Sequence, residues 1–99
     1  MTATLTAHAI QRAAERLNLG ESSLQRLADT ALLSGLMHNE CQGKLRRYID
    51  KLFLENRTAN NIRIYGDNVF LFASAILITV FPLPQIMKPI ATKMLNRRT

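Results

Sequence analysis

Ile62-Arg-Ile-Tyr-Gly-Asp-Asn-Val-Phe-Leu-Phe-Ala-Ser-Ala-Ile-Leu-Ile-Thr-Val-Phe81 decides the fold class of this chain. From Ile62 to Tyr65 the side chains alternate: Ile62 and Ile64 take one face, Arg63 and Tyr65 the other, which is the period of a strand. Gly66-Asp67-Asn68 is a tight-turn sequence, so Val69 to Ala73 returns as a hairpin partner. Ser74-Ala75 offers a second turn, and Ile76 to Phe81 makes a third strand. Three short strands with short links form an antiparallel meander. The even apolarity of the last strand gives it a central or doubly covered position.

Upstream the period changes to that of helices. Thr4 or Thr6 can cap a first helix whose apolar stripe is Ala7, Ile10, Ala14 and Leu17, with Gly20 as its stop. Ser22-Ser-Leu-Gln25 reads as a capping box for a second helix. That helix buries Leu24, Leu27, Ala28, Ala31 and Leu32 and ends at Gly35. From Lys44 to Leu54, Leu45, Tyr48, Ile49, Leu52 and Phe53 follow the helical count. The outer face of this third helix carries Lys44, Arg46, Arg47, Asp50 and Lys51. Helices followed by a meander make an α+β domain, with N-terminal helices packed on a three- to four-stranded antiparallel sheet. Beyond Pro84 lies a short basic tail, partly helical and broken near Pro89.

Ninety-nine residues make a single domain, 1–99, with a core over 6–84 and the tail over 85–99. Thirteen Lys and Arg against seven Asp and Glu leave a net charge of +6, which favours a polyanionic partner. No acidic residue follows Asp67, whereas Lys88, Lys93, Arg97 and Arg98 do. Cys41 is the only cysteine, so no internal disulfide forms and a reducing compartment suits the chain. Its ordinary role is a small half-buried thiol. No signal peptide is visible at the start. Val69 to Leu83 is apolar but shorter than the roughly 20 residues of a membrane helix, and Pro82 and Pro84 close it.

Neither a Walker-type loop nor a dinucleotide fingerprint is present. One Cys and two His cannot build a Cys/His metal site, so no metal or other cofactor is expected. What remains is the His, Arg, Lys, Thr, Asn and Tyr set used in metal-free phosphodiester cleavage. There a 2′-hydroxyl attacks phosphorus, a base and an acid move protons, and cations hold the added negative charge. His8, Arg12 and Arg16 lie four residues apart on one helix face. An imidazole titrates near neutrality and suits the acid or base role. A guanidinium can clamp two phosphate oxygens. Thr79 puts one hydroxyl into an apolar strand.

Each has a plainer alternative. His8 can be a solvated or capping residue, Arg12 and Arg16 can simply flank Glu15 in solvent, and Thr79 can be a packed β-branched residue. Tyr65 can be a strand aromatic or a base-stacking platform. Asn60-Asn61 is the usual turn entering a strand. His38 can favour a helix dipole. Arg46-Arg47 and Arg97-Arg98 are solvated charges or phosphate contacts.

His8-Ala-x-x-Arg12-x-x-Glu15-Arg16, Gly43-Lys-Leu-x-x-Tyr-Ile-Asp50 followed by Asn56-Arg-Thr-Ala-Asn-Asn61 and the hairpin, and Leu77-Ile-Thr-Val-Phe-Pro-Leu-Pro84 together resemble a known family. They are similar to ribonucleases of the RelE/colicin D/EndoU/barnase superfamily, over about Thr6 to Pro84. The branch in question has a His and basic residues on an early helix and a late strand reading Leu-Ile-Thr-Val. Such domains occur in polymorphic and contact-dependent toxins and in toxin–antitoxin pairs. The resemblance implies a RelE/barnase-like fold and metal-independent RNA cleavage, often of tRNA. His8 would be the general acid/base, Arg12 a phosphate clamp and Thr79 a hydroxyl orienting the scissile phosphate. Arg16, Lys44, Arg46, Arg47, Asn61, Arg63 and Tyr65 are the RNA-binding candidates. RNA and a cognate antitoxin or immunity protein are the implied partners, and the cytoplasm the site of action. A non-catalytic nucleic-acid- or protein-binding module on the same scaffold is the alternative.

Overall fold

In the computed structural model, which describes residues 2–97, the chain runs β1 (Thr4–Leu5), α1 (Ala7–Leu17), α2 (Glu21–Ser34) and β2 (Leu36–Met37). A single 3-10 turn (His38–Glu40) leads to α3 (Gly43–Glu55). Then come β3 (Asn61–Tyr65), β4 (Asn68–Ala73), β5 (Ile76–Pro82), another 3-10 turn (Gln85–Met87) and α4 (Lys88–Asn96).

The meander forms as expected. Gly66 and Asp67 both take positive φ, 56° and 65°, and Tyr65 pairs with Asn68. Two left-handed central residues give the turn whose twist matches the flanking strands. Ser74, at φ 56°, makes the second turn.

The sheet is larger than a three- to four-stranded antiparallel one and differently connected. It is an open five-stranded mixed sheet of order β1-β5-β4-β3-β2. β2 adds an antiparallel edge to β3, and β1 pairs in parallel with β5 through Thr4 and Leu5. Neither edge strand exceeds two residues, too few to display a period. Long-range bonds fix β1 instead: Ala3 N donates to Asp29 Oδ1 at 2.7 Å, and Gln25 Nε2 donates to Ala3 O at 2.7 Å.

Helices cover both faces. α1 and α2 pack over Phe70, Phe72, Leu77 and Val80, while α3 and α4 pack over Ile62, Ile64, Val69 and Leu71. β4 is therefore the middle strand, and its Val69, Phe70, Leu71 and Phe72 are all fully buried, alternately on the two faces. β5 is doubly covered but lies next to an edge.

Local differences follow from this packing. The stripe that α1 buries is Ala9 and Ala13 rather than Ala7 and Ala14, which are exposed. Small residues let the helix axis lie close to the sheet. Thr6 is its N-cap, and Asn18, at φ 55°, its C-cap. Gly20 is the N-cap of α2, so Ser22 falls inside the helix and no capping box forms there. Gln25 is used by Ala3 instead. In α3, Leu45, Ile49 and Leu52 are buried, whereas Phe53 is 38% exposed.

Residues 85–97 are not a tail. Pro89 stands in the first turn of α4, where its missing N–H costs nothing, and Ala91 is buried in the core. Arg98 lies outside the described residues. The apolar run from Val69 to Leu83 is two strands, and among the described residues no helix is long and apolar enough to cross a membrane.

Candidate functional site

β1 pairs with Ile76 and Leu77, so among the described residues the outer edge of β5 from Ile78 to Pro82 has no strand partner. α1 lies along this edge. Thr6 Oγ1 caps the helix by accepting from Ala9 N at 3.0 Å. The same hydroxyl faces the Leu77 carbonyl at 2.9 Å and the Ile78 carbonyl at 3.3 Å. Both carbonyls are within its reach because Leu71 pairs with Thr79 and Phe72 with Leu77, which leaves Ile78 as an extra, bulged residue.

His8, Arg12 and Arg16 each sit one position before a residue packed on the sheet (Ala9, Ala13 and Leu17), about 100° around the helix, at the margin of its contact with the sheet. Arg16 reaches over the β5 edge. Its Nη1 donates to Thr79 Oγ1 at 3.2 Å and to Val80 O at 3.0 Å, and its guanidinium carbon lies 4.2 Å from the centroid of the Phe81 ring. This joins the helix motif to the strand motif across 63 residues. Both bonds use Nη1, so among the described residues Nε and Nη2 of Arg16 remain for a ligand.

Thr79 is only 4% exposed. Its register opposite Leu71 directs it to the α3–α4 face, and the Arg16 guanidinium closes over its hydroxyl. Thr79 thus orients Arg16 and has no open path to a phosphate. Arg12 pairs with Glu15 at 2.7 Å. That bond, with one from Gln11, holds the Glu15 carboxyl below its ordinary range. Arg12 Nε is buried without a hydrogen-bond partner among the described residues. An unpaired buried donor costs about 1–3 kcal/mol, and the solvent-facing part of the Arg12 side chain is its guanidinium end, paired with Glu15. His8 is exposed in the first turn of α1. It stands about 6 Å along the axis from Arg12 and about 12 Å from Arg16.

The remaining candidates do not converge here. Lys44 and Arg47 are exposed on α3, across the sheet from α1, and Arg46 Nε donates to Asp50 Oδ1 at 2.9 Å. Arg63 Nε donates to Asn61 Oδ1 at 2.9 Å, so these two hold each other on β3. Tyr65 packs against the α1–α2 core and is not an open stacking platform.

A second polar cluster was not visible in the sequence. His38 Nε2 lies 2.6 Å from Asp50 Oδ1. The bonds from His38 and then Arg46 hold the Asp50 carboxyl below its ordinary range. Twelve residues and a change of element separate His38 from Asp50, so no helical or strand spacing announces the pair. Among the described residues no group of three or more His, Cys, Asp or Glu gathers to hold a metal.

No family model matches this chain, and neither a curated protein nor a solved structure matches it.

Proposed function

We propose that this chain is a small, metal-independent endoribonuclease of the RelE/colicin D/EndoU/barnase type, toxin-like in its biology and kept in check by an antitoxin or immunity protein. The observation that carries this reading is the contact of Arg16 with Thr79 and Val80, which brings the two motifs of the resemblance to one strand edge. Arg12, one turn before Arg16 on α1 with its side chain 35% exposed, adds a second cation and supports an anion site. The antiparallel β3-β4-β5 unit with α1 and α2 on one face supports the RelE/barnase-like arrangement.

In this reading the scissile phosphate lies between His8 and Arg12. The 2′-oxygen attacks phosphorus, and the bond to the 5′-oxygen breaks. The products are a 2′,3′-cyclic phosphate and a 5′-hydroxyl. His8 takes the 2′-hydroxyl proton or supplies one to the leaving oxygen. Arg12 and the free donors of Arg16 stabilise the added charge on the non-bridging oxygens. Thr79 is a positioning residue that holds the Arg16 guanidinium.

A second reading, a basic RNA-binding module without cleavage, draws on the exposure of His8, which stands on an open helix surface. Incubation with total tRNA and with a long RNA in EDTA separates the two. The ribonuclease reading expects discrete fragments. Intact RNA, with a gel shift that fades as salt rises, would assign the binding module instead.

A further inference from the structure

The 3-10 turn His38–Glu40, the C-terminal half of α3 and the start of β3 enclose a surface cavity of about 230 Å³. It lies apart from the α1–β5 edge, and none of the site chemistry above uses it. Its size is below the range of about 300–1,000 Å³ typical of pockets for drug-sized ligands, and suits a single flat heterocycle.

Two walls are aromatic. The His38 and Phe53 rings have centroids 5.8 Å apart and are tilted by 60°, forming a corner against which a planar ring can stack. Phe53 leaves 38% of its surface exposed here, although its place in the helical count of α3 would bury it. His38 is held from behind by Asp50. An ionised carboxylate can only accept, so Nε2 carries the proton of that bond and Nδ1 is left for a ligand.

The rim is made of amides. Asn60 Oδ1 accepts from Ser74 N at 2.9 Å, and Asn61 Nδ2 donates to Ser74 O at 3.2 Å. These bonds fix the orientation of both side chains and leave the Asn60 Nδ2 donors unused among the described residues. Asn39 adds a third amide.

Aromatic walls with free amide donors at their rim are means by which proteins hold an unstacked base of a single strand. We propose that this cavity binds one nucleobase of a single-stranded RNA, stacked on His38 and Phe53 and read at its edge by Asn39 and the Asn60 Nδ2 donors. The inference rests on RNA being the ligand of the chain. It adds a subsite remote from the α1–β5 edge, which would select where along a strand that edge acts.

The test is a titration of the full chain, followed by amide and imidazole NMR signals. The probes are the four nucleoside 5′-monophosphates and hexanucleotides of each base. The expected result is saturable shifts at Asn39, Asn60, Ile62 and the His38 ring, strongest for one base. Phe53→Ala, which removes an exposed side chain, should then weaken binding of that hexanucleotide by roughly five- to hundred-fold. Asn39→Ala should reduce the preference among bases. Shifts from the hexanucleotides confined to α1 and β5 would overturn this inference and leave the ribonuclease reading standing. Saturable cavity shifts in a protein that leaves RNA uncut would uphold the inference and remove the ribonuclease reading. The absence of any shift with every probe would overturn the inference.

Discussion

Thr79 carries a buried hydroxyl whose one partner among the described residues is a charged side chain from another element. Its side chain is buried, and the bond it accepts from Arg16 fixes a guanidinium on the strand edge. Thr79→Val keeps the shape and removes the acceptor. It should cost about 1–2 kcal/mol in urea unfolding and weaken RNA cleavage, with Thr79→Ser restoring both. A role in packing alone would leave cleavage unchanged in the valine variant. Cys41 illustrates the opposite case, a thiol with no chemistry. Burial pushes it up to about 11, so at neutral pH it is a protonated, enclosed side chain. It should stay unreactive to thiol reagents in the folded protein and react on unfolding. Because burial favours the neutral thiol, its contribution to stability is complete below the ordinary thiol pKa of 9.0 and fades as pH rises towards 11. Cys41→Ala should lack that alkaline decline. The sequence already pairs Cys41 with an inert role and puts Arg16 on a stripe with His8. It cannot say that Thr79 is covered, because that depends on which strand edge α1 crosses.

At the level of elements, the central meander was readable because turn chemistry and alternation agree over Ile62 to Phe81. The helix boundaries at Gly35 and near Glu55 were readable for similar reasons. The two edge strands were not, since each is held by partners more than twenty residues away rather than by a local pattern. Nor was the bulge at Ile78, which exists only relative to β4. The α2–β2 corner offers a sharp test. A Cβ on Gly35 would lie 2.5 Å from Ala31 O and 3.1 Å from Arg63 Cβ, both on rigid elements. Gly35→Ala should therefore destabilise the protein by about 1–3 kcal/mol in urea unfolding. Gly20→Ser is the control: nothing lies within 4 Å of its Cβ, and its extended φ and ψ suit a capping serine. It should be neutral or slightly stabilising.

Over the whole molecule, the surplus of basic residues divides between faces. Arg12 and Arg16 follow the β5 edge on the α1 side, while Lys44, Arg47 and Lys51 are exposed on α3 across the sheet. Composition gives the net charge of +6 but not this division, which arises because both faces of β4 are apolar and each must be covered by helices. The same demand draws residues 88–96 into the core as α4, although their charge alone reads as a solvated tail. Cleavage at the α1–β5 edge is the claim on which the functional reading stands. Its most direct test is the chemistry of the RNA ends left after reaction in EDTA, wild type beside His8→Ala, with both proteins checked for equal folding. The exposed position of His8 makes that substitution structurally mild. The expected result is fragments ending in 2′,3′-cyclic phosphate with the wild type and none with the variant. Equal cleavage by both proteins, or intact RNA in both lanes, would contradict it.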